Sequence, residues 1–163
     1  MFFIYQIIIL LILILSPFIF IIRIIKNKED KKRFKEKISI NDSYLPNNKK
    51  IIWIHAASIG ETNSILPLIS KLTKDNENVF ILLTSTTLSS SQLIERKKFN
   101  ENNIQHRFFP LDVQFLVKKF ISHWKPELVI FVDSEVWPNY LLEISKRKIP
   151  LILLNGRITM KTL

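Results

Sequence analysis

The feature that most constrains this chain is an uninterrupted apolar run at its start. Residues 2–22 read FFIYQIIILLILILSPFIFII, and no charged side chain interrupts these 21 positions. As an α-helix rising about 1.5 Å per residue, the run would span about 31 Å, close to the hydrocarbon thickness of a bilayer. The Ser16-Pro17 pair is compatible with such a helix, because neighbouring groups in membrane proteins satisfy the carbonyl that proline frees. We therefore predict a transmembrane anchor over residues 1–25.

The segment that follows the apolar run is strongly basic. Residues 23–37 contain eight Lys or Arg and three acids, a local excess of +5 within a chain of net charge +10. The positive-inside rule keeps such a flank in the cytoplasm and places the short N-terminus outside. Clustered cations also attract anionic lipid head groups. Residues 26–50 are thus predicted to form a basic juxtamembrane segment and a linker that holds Pro46.

Other interpretations of the same two segments fit less well. A cleaved signal peptide needs a basic start, a shorter apolar core and a cleavage site with small residues, and none is visible before residue 38. A nucleic-acid role is disfavoured because the basic run directly abuts a membrane span, so we expect no nucleic-acid partner. The absence of cysteine excludes a disulfide scaffold, a thiolate metal site and a cysteine nucleophile.

Beyond residue 50, short apolar runs alternate with longer amphipathic stretches. Strands that are apolar throughout and separated by helices indicate a parallel sheet covered on both faces. The predicted fold class is therefore α/β and doubly wound, a Rossmann-like domain behind a transmembrane helix. Predicted strands cover residues 51–55, 79–84, 104–109, 128–132 and 151–154, and predicted helices cover residues 62–74, 89–99, 113–123 and 138–148.

The common strand order 3-2-1-4-5 would place a crevice between the first and fourth strands. Ligands of such folds bind outside the carboxyl ends of the strands at that crevice. The loops at residues 55–61 and 133–137 should therefore be chemically rich. Both contain acids, and the second also contains a tryptophan.

The first loop and its flank read HAASIGET, residues 55–62. Glu61 could take a proton from a substrate hydroxyl, and the small residues before it would let a ligand approach. On spacing alone, Ser58 and Glu61 favour a capping box, in which each side chain bonds the backbone N–H of the other residue at a helix start. Pro67 weighs against the cap, because a helix beginning at Ile59 would hold this proline in its interior.

The second loop reads DSEVWPN, residues 133–139. Asp133 and Glu135 could complement the dipole of the helix that follows. Two acids and Trp137 beside a predicted ligand crevice also suit the binding of a polyol or sugar, which we favour.

Other candidate residues carry weaker signals. Arg157, in the NGRIT sequence of residues 155–159, could clamp a phosphate or carboxylate, or belong to an ordinary strand-to-helix loop. The hydroxyl run at residues 84–87 could touch a phosphate, although capping a helix is the simpler role. His106 and His123 lack ligand spacing with any acid, so no metal site is predicted. The two glycines form no dinucleotide or phosphate-loop fingerprint.

Four motifs, taken in order behind an N-terminal anchor, resemble a known family. They are IWIHAASIGE (residues 52–61), HRFFPLD (106–112), KPELVIFVDSEVWPN (125–139) and IPLILLNGRIT (149–159). Their succession resembles the N-terminal half of the 3-deoxy-D-manno-octulosonic acid (Kdo) transferases. The resemblance implies a GT-B glycosyltransferase with two Rossmann-like domains, of which the N-terminal one binds the acceptor and the C-terminal one the nucleotide-sugar donor.

The resemblance also implies an activity. Members of this family transfer Kdo from CMP-Kdo to the lipid A precursor at the cytoplasmic face of the inner membrane, generally without a metal or other cofactor. They are more than twice as long as this sequence. Residues 51–163 therefore correspond to the acceptor-binding domain, truncated before the donor domain, and we expect the chain alone to be inactive. A separate chain could carry the donor domain.

Two rival interpretations remain. The chain could be a non-catalytic, membrane-anchored remnant that binds an anionic lipid or sugar phosphate. It could also be an unrelated membrane-tethered α/β protein that binds another anionic ligand.

By the resemblance, Glu61 is the general base that acts on the acceptor hydroxyl. Asp133 stands where the family usually has glutamate, and this shortens the side chain by one methylene group. The residues implied in binding the acceptor or shaping its loop are Ser58, Gly60, Asp133, Glu135 and Arg157.

Overall fold

The computed structural model describes residues 2–38, 46, 48–97, 99, 103–133 and 136–155. The N-terminal helix α1 (Phe2–Ile25) is followed by a short 3₁₀ helix (Arg33–Lys37). The strands of the domain are β1 (Lys50–His55), β2 (Val79–Ser85), β3 (Ile104–Phe108), β4 (Leu128–Val132) and β5 (Leu151–Leu154). Its helices are α2 (Ile59–Asp75), α3 (Leu88–Arg96), α4 (Gln114–Trp124) and α5 (Pro138–Lys146).

The five strands form one parallel sheet in the order β3-β2-β1-β4-β5, which confirms the predicted topology. Strand β1 lies at the centre, and His55 at its carboxyl end is in register with Thr84 of β2 and Phe131 of β4. The loops that leave these three strands therefore meet at one edge of the sheet.

The strands are apolar throughout because both faces of the sheet are covered. Alternate side chains of β1, such as Trp53 and Ile54, belong to separate buried clusters on opposite faces. The Trp53 cluster includes residues of α4 and α5, and the Ile54 cluster includes residues of α2 and α3. Successive strand residues point to opposite faces, so a sheet buried on both sides shows no polar alternation.

One predicted boundary is wrong in an informative way. Helix α2 begins at Ile59, three residues before the predicted start, and it continues through Pro67. Proline has no N–H to donate to the carbonyl one turn earlier in the helix. Pro67 is exposed, so water can solvate that carbonyl instead. The proline therefore did not exclude an early helix start.

The basic segment after α1 is packed on the domain along part of its length. The backbone N–H of Leu111 donates to the carbonyl of Lys37 at 2.8 Å. The N–H of Phe108, at the end of β3, donates to the carboxylate of Glu36 at 2.8 Å. The 3₁₀ helix thus lies against the edge strand of the sheet and its following loop.

Helix α1 is long and apolar enough to cross a membrane. Phe3 and Phe18 are 76% and 72% exposed, whereas Ser16 and Phe20 are buried. The Phe20 ring packs on Phe34, with ring centroids 5.6 Å apart. Near the other end of α1, the Tyr5 hydroxyl donates to Asp112 and the Gln6 amide donates to Asn139. One stripe of the helix therefore contacts the domain, and the outer face is apolar.

Candidate functional site

Glu61 lies in the first turn of α2, directly after the central strand. Ser58 caps this helix, since its side-chain oxygen accepts from the backbone N–H of Glu61 at 3.3 Å. The predicted cap by Ser58 is therefore confirmed, but the Glu61 carboxylate accepts from the N–H of Ala57 where the capping box predicts the N–H of Ser58.

The Glu61 carboxylate is held by two local donors. One oxygen accepts from the backbone N–H of Ala57 at 2.7 Å, and the other accepts from the Ser58 hydroxyl at 2.7 Å. An ionised carboxylate offers about four acceptor positions, so these two bonds leave capacity for another donor. Glu61 is partly exposed. The same carboxylate can therefore organise the helix start and accept a hydrogen bond from a substrate hydroxyl.

Gly60 is exposed, and its backbone does not require glycine. A Cβ added there would meet only the Ser58 hydroxyl oxygen, at 3.9 Å, and no positive φ is involved. The folded chain would thus accommodate alanine at this position. Open space beside Glu61 is compatible with the close approach of a ligand.

The loop after β2 supports the loop that contains Glu61. The backbone N–H and the hydroxyl of Thr86 both donate to the carbonyl of Ala57, at 3.3 and 2.9 Å. The next residue, Thr87, caps α3 by accepting from the N–H of Ser90 at 3.2 Å. Capping by the hydroxyl run is thus confirmed, and a second hydroxyl in the run joins the two loops.

The histidine that begins the first loop is part of the core. The His55 ring is fully buried and stacks on Phe109 with ring centroids 3.8 Å apart. Burial lowers the pKa of His55 to about 3, so the ring is neutral near pH 7. His106 is also neutral there, because burial and the nearby charges of Arg33 and Arg107 lower its pKa to about 3.

Asp133 joins the loops after β4 and β5. Its backbone is left-handed, with φ of 58°, a conformation that aspartate tolerates better than most residues. Its N–H donates to the carbonyl of Leu154 at 2.8 Å, and its carboxylate accepts from the side chain of Asn155. Asp133 and Glu61 thus follow neighbouring strands at the same edge of the sheet.

Two predicted site residues, Glu135 and Arg157, lie outside the described residues. Gly156 of the same NGRIT sequence also lies outside them. Within the part of the chain that is described, no group of three or more His, Asp or Glu side chains could hold a metal ion.

Asp112 binds backbone groups at the start of α5, and it was not among the predicted site residues. The carboxylate of Asp112 accepts from the backbone N–H groups of Asn139 and Tyr140, at 3.0 and 3.1 Å. Trp137 occupies the N-cap position of the same helix, is partly buried and contacts Phe109, with ring centroids 5.4 Å apart. Trp137 therefore contributes to the core beside the predicted crevice. The acid that ends the HRFFPLD sequence was the available signal for Asp112.

A second group of residues missed in the sequence surrounds the 3₁₀ helix. Arg33 donates to Glu36 at 2.8 Å, to the His106 carbonyl at 2.9 Å and to Glu95 at 3.2 Å. Lys37 donates to both oxygens of Glu29 at 2.8 Å. The sequence did contain a sign of these contacts, namely three acids among the cations of this segment. A segment that only faced lipid head groups would not need acidic side chains.

Comparison with known proteins decides the family. The family model for 3-deoxy-D-manno-octulosonic-acid transferase (kdotransferase) matches residues 31–163. The chain belongs to this family. The five-stranded parallel sheet is the Rossmann-like N-terminal half of the GT-B fold of Kdo transferases. The match begins within the basic segment, which agrees with the packing of the 3₁₀ helix on the domain.

Individual Kdo transferases are similar over most of this chain. The 3-deoxy-D-manno-octulosonic acid transferase of Rickettsia bellii is 36% identical over 152 residues, which cover 91% of this chain and 35% of that protein. The probable mitochondrial enzyme of Arabidopsis thaliana is 36% identical over 112 residues, 69% of this chain and 25% of that protein. The Haemophilus influenzae enzyme is 32% identical over 111 residues, 68% of this chain and 26% of that protein. The chain thus matches about a third or less of the length of these curated relatives.

Proposed function

We propose that this chain is the acceptor-binding half of a Kdo transferase and that it presents the lipid A precursor to Glu61. The observation that carries the proposal is the Glu61 carboxylate, which is held by Ala57 and Ser58 at the carboxyl end of the central strand. Membership of the family supports the same assignment.

In the complete reaction, Glu61 accepts the proton of an acceptor sugar hydroxyl. The hydroxyl oxygen then forms a bond to the anomeric carbon of Kdo as the bond to CMP breaks, with inversion at that carbon. CMP-Kdo is held by a donor domain, on this chain or on a separate one. Alignment of donor and acceptor supplies much of the catalysis, so the 163-residue polypeptide by itself should not transfer Kdo. No cofactor or metal is expected to take part.

The charge of the domain suits an anionic acceptor. The 126 residues after Lys37 contain 16 Lys or Arg and 11 Asp or Glu, a modest positive excess. Together with the basic segment, this excess favours a phosphorylated lipid and anionic membrane lipids as partners.

We also propose that α1 is a single-pass anchor in the inner membrane, with the domain on the cytoplasmic side. The apolar outer face of α1 and the cations that follow it support this orientation. A spanning α1 carries its N-terminal end away from the domain, so Tyr5 and Gln6 must then release Asp112 and Asn139. Asp112 would keep its bonds to the two backbone N–H groups at the start of α5.

The absence of cysteine makes the topology directly testable. Single variants Phe3→Cys and Lys28→Cys each provide one thiol for a membrane-impermeant maleimide. We expect the thiol at position 3 to react from the periplasmic side and the thiol at position 28 to react from the cytoplasmic side. Labelling of both thiols from the same side would overturn the spanning orientation.

The acceptor assignment is tested by binding of the lipid A precursor to the full chain in nanodiscs. Glu61→Gln and Glu135→Gln should each weaken binding at least tenfold while the circular dichroism spectrum stays unchanged. Glu77→Gln, at an exposed position, is the matched control and should bind as the unaltered chain does. Unchanged binding in the first two variants would contradict the site assignment. Kdo transfer by the purified 163-residue polypeptide would overturn its assignment as an acceptor half.

A further inference from the structure

A buried ion pair lies between the end of α1 and the candidate site. Lys37 donates to both carboxylate oxygens of Glu29, and the two side chains are 9% and 0% exposed. Arg23, in the last turn of α1, also donates to Glu29 at 3.0 Å. The lysine ammonium group lies 5.0 Å from the centre of the Phe108 ring. The pair is therefore enclosed by protein on several sides.

The pair is connected to Glu61 by a continuous series of hydrogen bonds. The ammonium group of Lys37 donates a further bond, of 3.0 Å, to the carbonyl of Thr86. Thr86 donates through its N–H and its hydroxyl to the carbonyl of Ala57. The N–H of Ala57 donates to the Glu61 carboxylate at 2.7 Å. Three residues thus connect the Glu29 carboxylate to the Glu61 carboxylate.

Stability alone does not explain a buried pair of this kind. The cost of removing two charges from water offsets much of their attraction, so apolar residues of similar size often stabilise a fold equally well. What an apolar pair would lack is the bond from Lys37 to the Thr86 carbonyl. Separately from the side-chain pair, the backbone carbonyl of Lys37 accepts from the N–H of Leu111, in the loop that follows β3, at 2.8 Å.

We propose that Lys37 and Glu29 are positioning residues that set the place of the Glu61 carboxylate through Thr86 and Ala57. The ammonium group fixes the Thr86 carbonyl, Thr86 fixes the Ala57 peptide, and the Ala57 N–H orients the carboxylate. Because Arg23 also contacts Glu29, the same bonds relate the end of α1 to the acceptor-binding edge of the sheet. The proposal rests on the proposed function of Glu61 and extends it to the basic segment.

The test follows the amide signal of Ala57 by NMR in the full chain in detergent micelles, during a pH titration of Glu61. An amide that donates to a carboxylate shifts when that carboxylate is protonated. Lys37→Met should reduce the amplitude of this shift by at least half, and Lys37→Arg, which keeps charge and donors, should restore most of it. Lys35→Met, at an exposed position of the same 3₁₀ helix, is the matched control and should leave the titration unchanged.

The affinity for the lipid A precursor provides a second measurement. Lys37→Met should weaken binding of the lipid A precursor about tenfold, and Lys35→Met should leave it unchanged. If the unaltered chain does not bind the precursor, the proposed function fails, but the Ala57 titration still tests the positioning role.

A folded Lys37→Met variant with an unchanged Ala57 titration would overturn the proposal. If this variant does not fold, the Glu29→Leu/Lys37→Met variant removes both charges together and should fold while showing the reduced titration. Failure of both variants to fold, beside a folded Lys35→Met, would make the pair structural only and would also overturn the proposal.

Discussion

Glu61 and Glu29 are held in different ways, although each closely follows an apolar element of the chain. The partners of Glu61 are Ala57 and Ser58, both within four residues. Glu29 is bonded to Arg23 and to Lys37, and Lys37 also contacts the carbonyl of Thr86, 49 positions further along the chain. Glu61 is thus organised by its own loop, whereas Lys37, the partner of Glu29, connects that carboxylate to a distant part of the chain.

This difference separates what short spacing determines from what the tertiary fold determines. A serine three residues before a glutamate is enough to form the observed cap, because the geometry of a helix start brings them together. Nothing in the sequence near Lys37 identifies Thr86 as its partner. We therefore expect the removal of one member of the buried pair to cost more stability than the removal of the local cap.

The largest expected effect is that of removing one member of the buried pair. Lys37→Met should lower the free energy of unfolding by about 3–5 kcal/mol, because it leaves the buried Glu29 carboxylate with less compensation. Urea denaturation of the full chain in micelles measures the change. Lys35→Met should stay within about 0.5 kcal/mol of the unaltered chain, as exposed substitutions usually do.

Replacing both members together should cost much less. Glu29→Leu/Lys37→Met should recover most of the stability lost in the single variant, since no buried charge loses its partner. A Lys37→Met variant as stable as the control would contradict the comparison between the two carboxylates.

The next effect concerns His106, whose ring contacts Ser85 at 2.8 Å and Arg33 at 3.0 Å. Its pKa is about 3 in the folded chain against the ordinary histidine value of 6.5, so the unfolded chain binds the extra proton first as the pH falls. The contribution of the neutral His106 ring to stability is therefore fully present above about pH 6.5 and is lost as the pH falls toward 3. His106→Gln should reduce this slope by up to about 1.4 kcal/mol per pH unit. An unchanged slope in denaturation curves between pH 4 and 6 would count against the neutral buried histidine.

A smaller effect is expected at the cap itself. Ser58→Ala should lower the free energy of unfolding by about 1 kcal/mol, the usual cost of losing an N-cap side chain. The Glu61 carboxylate would keep its bond to the Ala57 N–H. A loss as large as that of Lys37→Met, measured by the same denaturation, would show that the local cap is not the weaker of the two arrangements.

The smallest effect has the opposite sign. Gly60→Ala should leave stability unchanged or raise it by up to about 1 kcal/mol, because alanine favours the helix and meets no close atom. If the acceptor lies against this position, the added methyl group should nevertheless weaken binding of the lipid A precursor. A stable variant that binds as the unaltered chain does would remove Gly60 from the site.

The sheet could be predicted because its determinants are local and repeated. Five apolar runs separated by amphipathic stretches were enough to predict the fold class, whose common strand order is the one observed. Ser58 and Glu61 were enough to suggest a cap, but the start of α2 was predicted three residues too late. Pro67 was misleading, since sequence alone does not show that it faces water. Asp112 and Lys37 were missed because their partners are brought near only by the completed fold. Glu135 and Arg157 stay predictions.

The Ala57 amide signal reports whether the Glu61 carboxylate receives the acceptor hydroxyl. The lipid A precursor is titrated into the full chain in nanodiscs while the Ala57 and Ser58 amides are followed by NMR. We expect saturable shifts of both signals, with binding weakened at least tenfold in Glu61→Gln. Precursor binding that leaves both signals unmoved, or that is equally tight in Glu61→Gln, would contradict this role of the Glu61 carboxylate.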